Sequence, residues 1–200
     1  MSPARGVGAA AGIPWRPVAG LTVAGTGLLA VAAIWVTSPI AGTALTVGVP
    51  VLAAATAYLL DEAATEAVAA TPTSLRVRSG SRLASAVGVL AIGAVGIAAL
   101  ALRSETSARL GIMLWLTGCA LVAVAASATL RRRLAEPGDV VAGGLMALVL
   151  ALAIAHPLDR WVDLFPTDAG QRWGGSLVVW CAIAAVAIVA TLAATRDPLD

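Results

Sequence analysis

Six stretches of about twenty residues run almost without charge through this chain, and the short segments between them hold nearly all its ionisable side chains. A helix needs roughly 20 mostly apolar residues to cross a hydrocarbon layer about 30 Å thick, because each residue rises about 1.5 Å. Six such runs in 200 residues leave no room for a separate soluble domain. The expected class is therefore all-α, a polytopic transmembrane bundle of six helices. Composition agrees: 60% hydrophobic and 12% charged residues lie far outside the soluble range.

The hydropathy pattern places the spans at about 18–36, 41–60, 84–102, 109–130, 139–155 and 175–194. Residues 1–17 form an N-terminal segment, 18–194 the transmembrane domain and 195–200 a tail. The first run is too long for a typical signal-peptide core and five more follow it, so it reads as a retained span. Pro50 lies near the middle of the second span and should kink it, because proline removes one backbone hydrogen bond. Asp139 is a good N-cap for the fifth.

All thirteen basic residues are arginines, and their distribution predicts orientation. Nine (Arg5, Arg16, Arg76, Arg78, Arg82, Arg131, Arg132, Arg133 and Arg196) fall on one side and four (Arg103, Arg109, Arg160 and Arg172) on the other. The richer side is expected to be cytoplasmic, with both termini inside the plasma membrane. A net charge of +2 is too small to suggest nucleic acid as a partner. The absence of lysine and the richness in Ala, Val, Leu and Gly suggest a GC-rich, bacterial genome.

Small residues are dense within the spans. Ala84, Gly88, Gly93 and Gly96 give the third helix a face that admits another backbone, and Gly143-Gly144 offers the fifth the same. Internal packing is the first reading of these faces and a second subunit the other. Cys119 and Cys181 read as small buried hydrophobes. Thr22, Thr26, Thr43, Thr46, Thr56, Thr117 and Ser127 are expected to bond the preceding turn of their own helix.

The spans carry no ionisable residue away from their ends. Ion-coupled carriers, proton relays and voltage sensors usually keep such residues in the membrane, so a secondary transporter is disfavoured. A Walker A loop needs a lysine, and the chain has none. No HExxH or GxSxG occurs, and a single histidine cannot build the usual zinc site. His156 and Asp159 could pair at the outer end of the fifth helix, with no nucleophile beside them. The expectation is a protein that is not an enzyme by itself and binds neither metal nor cofactor in its own chain.

Three loops remain. The inner loop 61–83 is acidic first (Asp61, Glu62, Glu66) and basic later (Arg76, Arg78, Arg82), with Thr71-Pro72 reading as an N-cap and first helical position between. The second helix is expected to run on to about Ala69, followed by a turn and a short helix. The loop reads both as a re-entry elbow, with its arginines on anionic headgroups, and as a docking knob. The inner loop 131–138 is short and basic. The outer loop 156–174 mixes Trp161, Phe165 and Trp173 with charged residues, which suits an interfacial anchor or a lid over an outward-facing cavity.

Leu60-Asp61-Glu62-Ala63, Ala70-Thr71-Pro72-Thr73 and the arginines that follow resemble small six-helix membrane proteins of actinobacteria, which are regarded as permease subunits of ABC transporters. The resemblance implies a membrane-spanning subunit whose partners are membrane lipid, an ABC ATPase and a second permease copy or homologue, with ATP and Mg on the ATPase. The docking residues it implies are Asp61, Glu62, Glu66, Thr71, Pro72, Arg76 and Arg78. A non-catalytic scaffold or accessory subunit of a larger membrane complex is the other expectation.

Overall fold

In the computed structural model the described residues are 13–35, 38–61, 75–101, 106–131, 133–134, 136–155, 162, 164–165 and 174–194. The side chains of 75–81, 83, 98–101 and 106–109 are not among them. Six α-helices follow in order: α1 Trp15–Ile34, α2 Pro39–Ala54, α3 Leu75–Ala101, α4 Thr106–Leu130, α5 Gly138–Ala155 and α6 Gly174–Ala194. No strand occurs among the described residues. Among the described residues, five stretches are long and apolar enough to cross a membrane: α1, α2 with its extension to Leu60, Leu110–Leu130 of α4, α5 and α6. This is the signature of a multi-pass membrane protein. In α3 the apolar part begins at Ala84, after turns that carry Arg76, Arg78 and Arg82, and is described as far as Ile97.

Local sequence explains the helix starts. Ser38 accepts a hydrogen bond from Ile40 N at 3.3 Å, and Pro39, whose missing N–H has no intrahelical partner to lose, follows it. α2 then runs through Pro50 and changes winding at Ala55, where a 3₁₀ segment, Ala55–Leu60, takes over. Pro50 itself lies within the continuous α-helix and does not end it. Nor does α2 run on to Ala69: the helical chain ends at Leu60, and Asp61 is extended (φ −67°, ψ 141°). The expected short helix beyond Thr71-Pro72 is instead the first part of α3, which continues without a break through its apolar stretch.

α2 is the core of the bundle, with 72% of its apolar window buried, against 28% for α5 and 17% for α6. Glycines set the crossings. A side-chain carbon at Gly25 would lie 2.8 Å from Leu52 N, and one at Gly48 would lie 2.9 Å from Leu28 Cβ, so α1 and α2 approach backbone to backbone. Gly93 of α3 leaves room for the Leu52 and Leu116 side chains, and Gly96 sits against Leu29. Ala84 and Gly88 of the same helix face outward, as do Gly143 and Gly144 of α5. The expected small-residue faces therefore pack internally only at Gly93 and Gly96.

Hydroxyls follow the expected pattern where the helix is regular. Thr22, Thr26, Thr46 and Thr117 each donate to the carbonyl four residues back at 2.7–2.9 Å. The 3₁₀ segment breaks the pattern. Thr56 donates to Ala53 O at 2.7 Å and across to Ala120 O of α4 at 3.3 Å. Ser127 of α4 donates to Ala57 O at 2.9 Å. Such interhelical bonds are worth on the order of 0.6 kcal/mol each in lipid, and here they tie the altered winding to its neighbour. Cys119 is buried as expected, whereas Cys181 is exposed on α6; both thiols are free.

Candidate functional site

Two helix ends and one residue two turns into α3 meet in one polar cluster. Within the 3₁₀ winding, residues three apart eclipse one another, so Tyr58 projects from the same edge of the chain as Asp61 just beyond it. Tyr58 Oη donates to Asp139 Oδ1 at 2.7 Å. Asp61 Oδ1 accepts from Gly138 N at 2.9 Å. The first N–H groups of a helix have no intrahelical acceptor, and here a carboxylate from a different helix supplies one. Asp139, expected to cap α5, instead lies in its first turn and serves Tyr58.

Arg82 completes the cluster from α3. Its Nη1 donates to Asp61 O at 2.8 Å and to Leu60 O at 3.3 Å. These carbonyls close the 3₁₀ segment, where the negative end of the helix dipole favours a cation. Arg82 is only 4% exposed and Asp61 only 3%. Burial pushes the Asp61 carboxyl up to about 6; Glu136 and Asp139 push the same way, while the Gly138 N–H and Arg82 act against them. Gly138 is fixed by this geometry. A side-chain carbon there would fall onto Asp61 Oδ2 and lie 2.6 Å from Tyr58 Cδ1.

The result is a clasp. One guanidinium of α3 joins that helix to the carbonyls of Leu60 and Asp61. Asp61, expected to face a partner, is therefore turned inward, because the helix stops before it and its carboxylate is directed at α5. Arg76 and Arg78 ride on the first turns of α3. Glu62, Glu66, Thr71 and Pro72 lie outside the described residues.

At the opposite end of α4 and α6, Phe165 enters the bundle. Its ring centroid is 5.0 Å from that of Trp115 and 6.0 Å from that of Trp180, with all three pairs tilted. Leu164 O accepts from Trp180 Nε1 at 3.0 Å and from Ser176 Oγ at 3.3 Å. Gly118 makes the space, since a side-chain carbon there would lie 2.7 Å from the Trp180 ring. Phe165 is thus a plug seated on α4 and α6. Trp161 and Trp173, grouped with it as an interface or lid, lie outside the described residues, as do His156 and Asp159.

Sequence reasoning missed Tyr58, Arg82 as a buried group, Gly138, Trp115 and Trp180. Tyr58 and Gly138 had one signal: a Tyr-x-x-Asp ending an apolar run and a Gly-Asp opening another. Among the described residues, no three of His, Cys, Asp and Glu gather as a metal-binding group. Neither protein-family models, curated proteins nor solved structures give a match to this chain.

Proposed function

We propose that this chain is a membrane-spanning permease subunit of an ABC-type transporter, driven by an ATPase on a separate polypeptide. In this reading it is a six-span subunit of a bacterial plasma membrane with both termini in the cytoplasm. It pairs with a second permease copy or homologue, while ATP and Mg act on the partner ATPase. The observation that carries the reading is the Arg82 clasp. It holds Leu60, Asp61 and α3 together at the base of the 62–74 segment, so a push on that segment is delivered to α2, α3 and α5 at once. Glu62, Glu66, Thr71, Pro72, Arg76 and Arg78 form the docking surface, with Asp61 as its internal anchor. The motion would be a rearrangement of packed helices.

Purification from the native membrane in mild detergent tests this. The expected result is a copurifying ATPase that is lost when Glu62 and Glu66 are both changed to Lys. Recovery without an ATPase, or a complex indifferent to that charge reversal, refutes it. A scaffold or accessory subunit is the second reading, favoured by the way Leu52, Leu116 and Trp115 fill the centre of the bundle. It predicts stoichiometric partners and no nucleotide-dependent change in conformation.

A further inference from the structure

The face between α4 and α6 carries a groove of about 600 Å³ beside the α4–α6 contact. Val122, Ala126, Thr129 and Leu130 form its α4 wall, and Ile183 and Val186 belong to its α6 wall. On both helices the lining follows a spacing of three and four residues, so each wall is one continuous helix stripe. The lining holds no ionisable side chain, and its single hydroxyl, Thr129 Oγ1, is satisfied by Ala125 O at 2.8 Å. Nothing in the groove therefore recognises a polar molecule.

What lies at its end is different. The α4 wall finishes at Leu130, and the next residues are Arg131-Arg132-Arg133. The helix closes tightly there: Arg131 N donates to Ser127 O at 2.9 Å, and Arg133 N and Leu134 N both donate to Leu130 O at 2.8 Å. Leu130 lines the groove, so this turn sets the backbone of Arg131 and Arg133 within three residues of its end. Arg131 is half-buried and Arg133 exposed. An apolar slot ending in guanidinium groups matches one kind of molecule, a hydrocarbon chain bearing an anionic phosphate. Basic sites between helices at a membrane surface bind such headgroups, each cation contributing about 1 kcal/mol.

We propose that the α4–α6 groove is a binding site for an anionic phospholipid, with one acyl chain along Val122, Ala126, Leu130 and Val186 and the phosphate on Arg131 and Arg133. The argument needs only a multi-pass membrane protein and is independent of the transporter reading. The competing occupant is a second copy of this chain, because only 17% of the apolar stretch of α6 is buried within the bundle.

Native mass spectrometry of the full chain from vesicles of phosphatidylglycerol or phosphatidylcholine with identical acyl chains tests the site. Retention of phosphatidylglycerol is expected to exceed that of phosphatidylcholine about thirtyfold, and the double change Arg131→Gln, Arg133→Gln is expected to remove the difference. Ala126→Leu fills the slot without touching charge and is expected to reduce retention of both lipids. A nitroxide at position 129, introduced through T129C, is expected to be contacted by a chain-labelled phosphatidylglycerol in bilayers. Equal retention of the two lipids, or retention unchanged in both variants, overturns the proposal. So does a dimer that Ala126→Leu breaks and phosphatidylglycerol leaves intact, which assigns the groove to a second copy.

Discussion

Asp61 and Gly138 stand 77 residues apart in sequence, yet the carboxylate of one accepts the first amide of the helix that the other begins, at 2.9 Å. The bond joins the end of a stretch that is 72% buried to the start of one that is 28% buried. It requires an extended residue after a 3₁₀ turn on one side and a residue without a side chain on the other. Several measurable consequences hang on that pair and on the glycine contacts around it.

Protonation of Asp61 should be visible in stability. Its carboxyl rises from 3.8 to about 6 on folding, mainly because it is buried, so the folded chain binds that proton more tightly than the unfolded chain. The stability this group contributes is complete below about 3.8 and is lost as pH climbs through about 6. Thermal unfolding in detergent, followed by helicity between pH 4 and 7.5, should show the midpoint falling over this window. Asp61→Asn, which keeps the acceptor for Gly138, should flatten that fall. An Asn variant with the slope of the parent chain would contradict the assignment.

Gly138→Ala should destabilise the bundle by about 1–3 kcal/mol, because the added methyl collides with Asp61 and Tyr58. Combined with Asp61→Ala, its effect should shrink, since the group it strikes is gone. A double-mutant cycle read by denaturant titration checks this, and strict additivity would show that the two residues do not meet.

The glycines should separate into two classes. Gly25→Ala forces a carbon to within 2.8 Å of the Leu52 backbone nitrogen and should cost about 1–3 kcal/mol by parting α1 from α2. Gly143→Ala and Gly144→Ala meet nothing within 4 Å and should be neutral or slightly stabilising through helix propensity. Unfolding midpoints of the three variants, measured side by side, decide the matter.

Trp180→Phe should loosen the segment before α6. It removes the Nε1 donor to Leu164 O while keeping most of the ring packing, a loss of about 1 kcal/mol. Limited proteolysis in detergent should then cut between residues 156 and 173 faster than in the parent chain. Phe165→Ala, which withdraws the plug itself, should have the larger effect.

The helices were legible because a hydropathy run is a local property: each predicted span overlaps an observed helix, with ends moved by a few residues, except at α3. There the basic residues from Arg76 to Arg82 read as a short helix separate from the span, although helix propensity is indifferent to where lipid begins. The Thr22, Thr26, Thr46 and Thr117 bonds were legible for the same local reason. The clasp was not. Asp61 reads as one more acid in a solvated loop, and only the tertiary arrangement brings it to Gly138. Glycine pairs were equally ambiguous, since Gly143-Gly144 and Gly93 look alike in sequence and differ only in which side of a helix faces a neighbour.

With Leu60, Asp61 and Arg82 bound to one another, the length of polypeptide between residues 62 and 74 adds little to the stability of the helices that flank it. Loop closure grows only slowly with length, about 0.6 kcal/mol per doubling. Epitopes or small reporter domains inserted there should leave the bundle assembled even when they abolish its work, which makes this segment the place where folding and activity can be separated genetically.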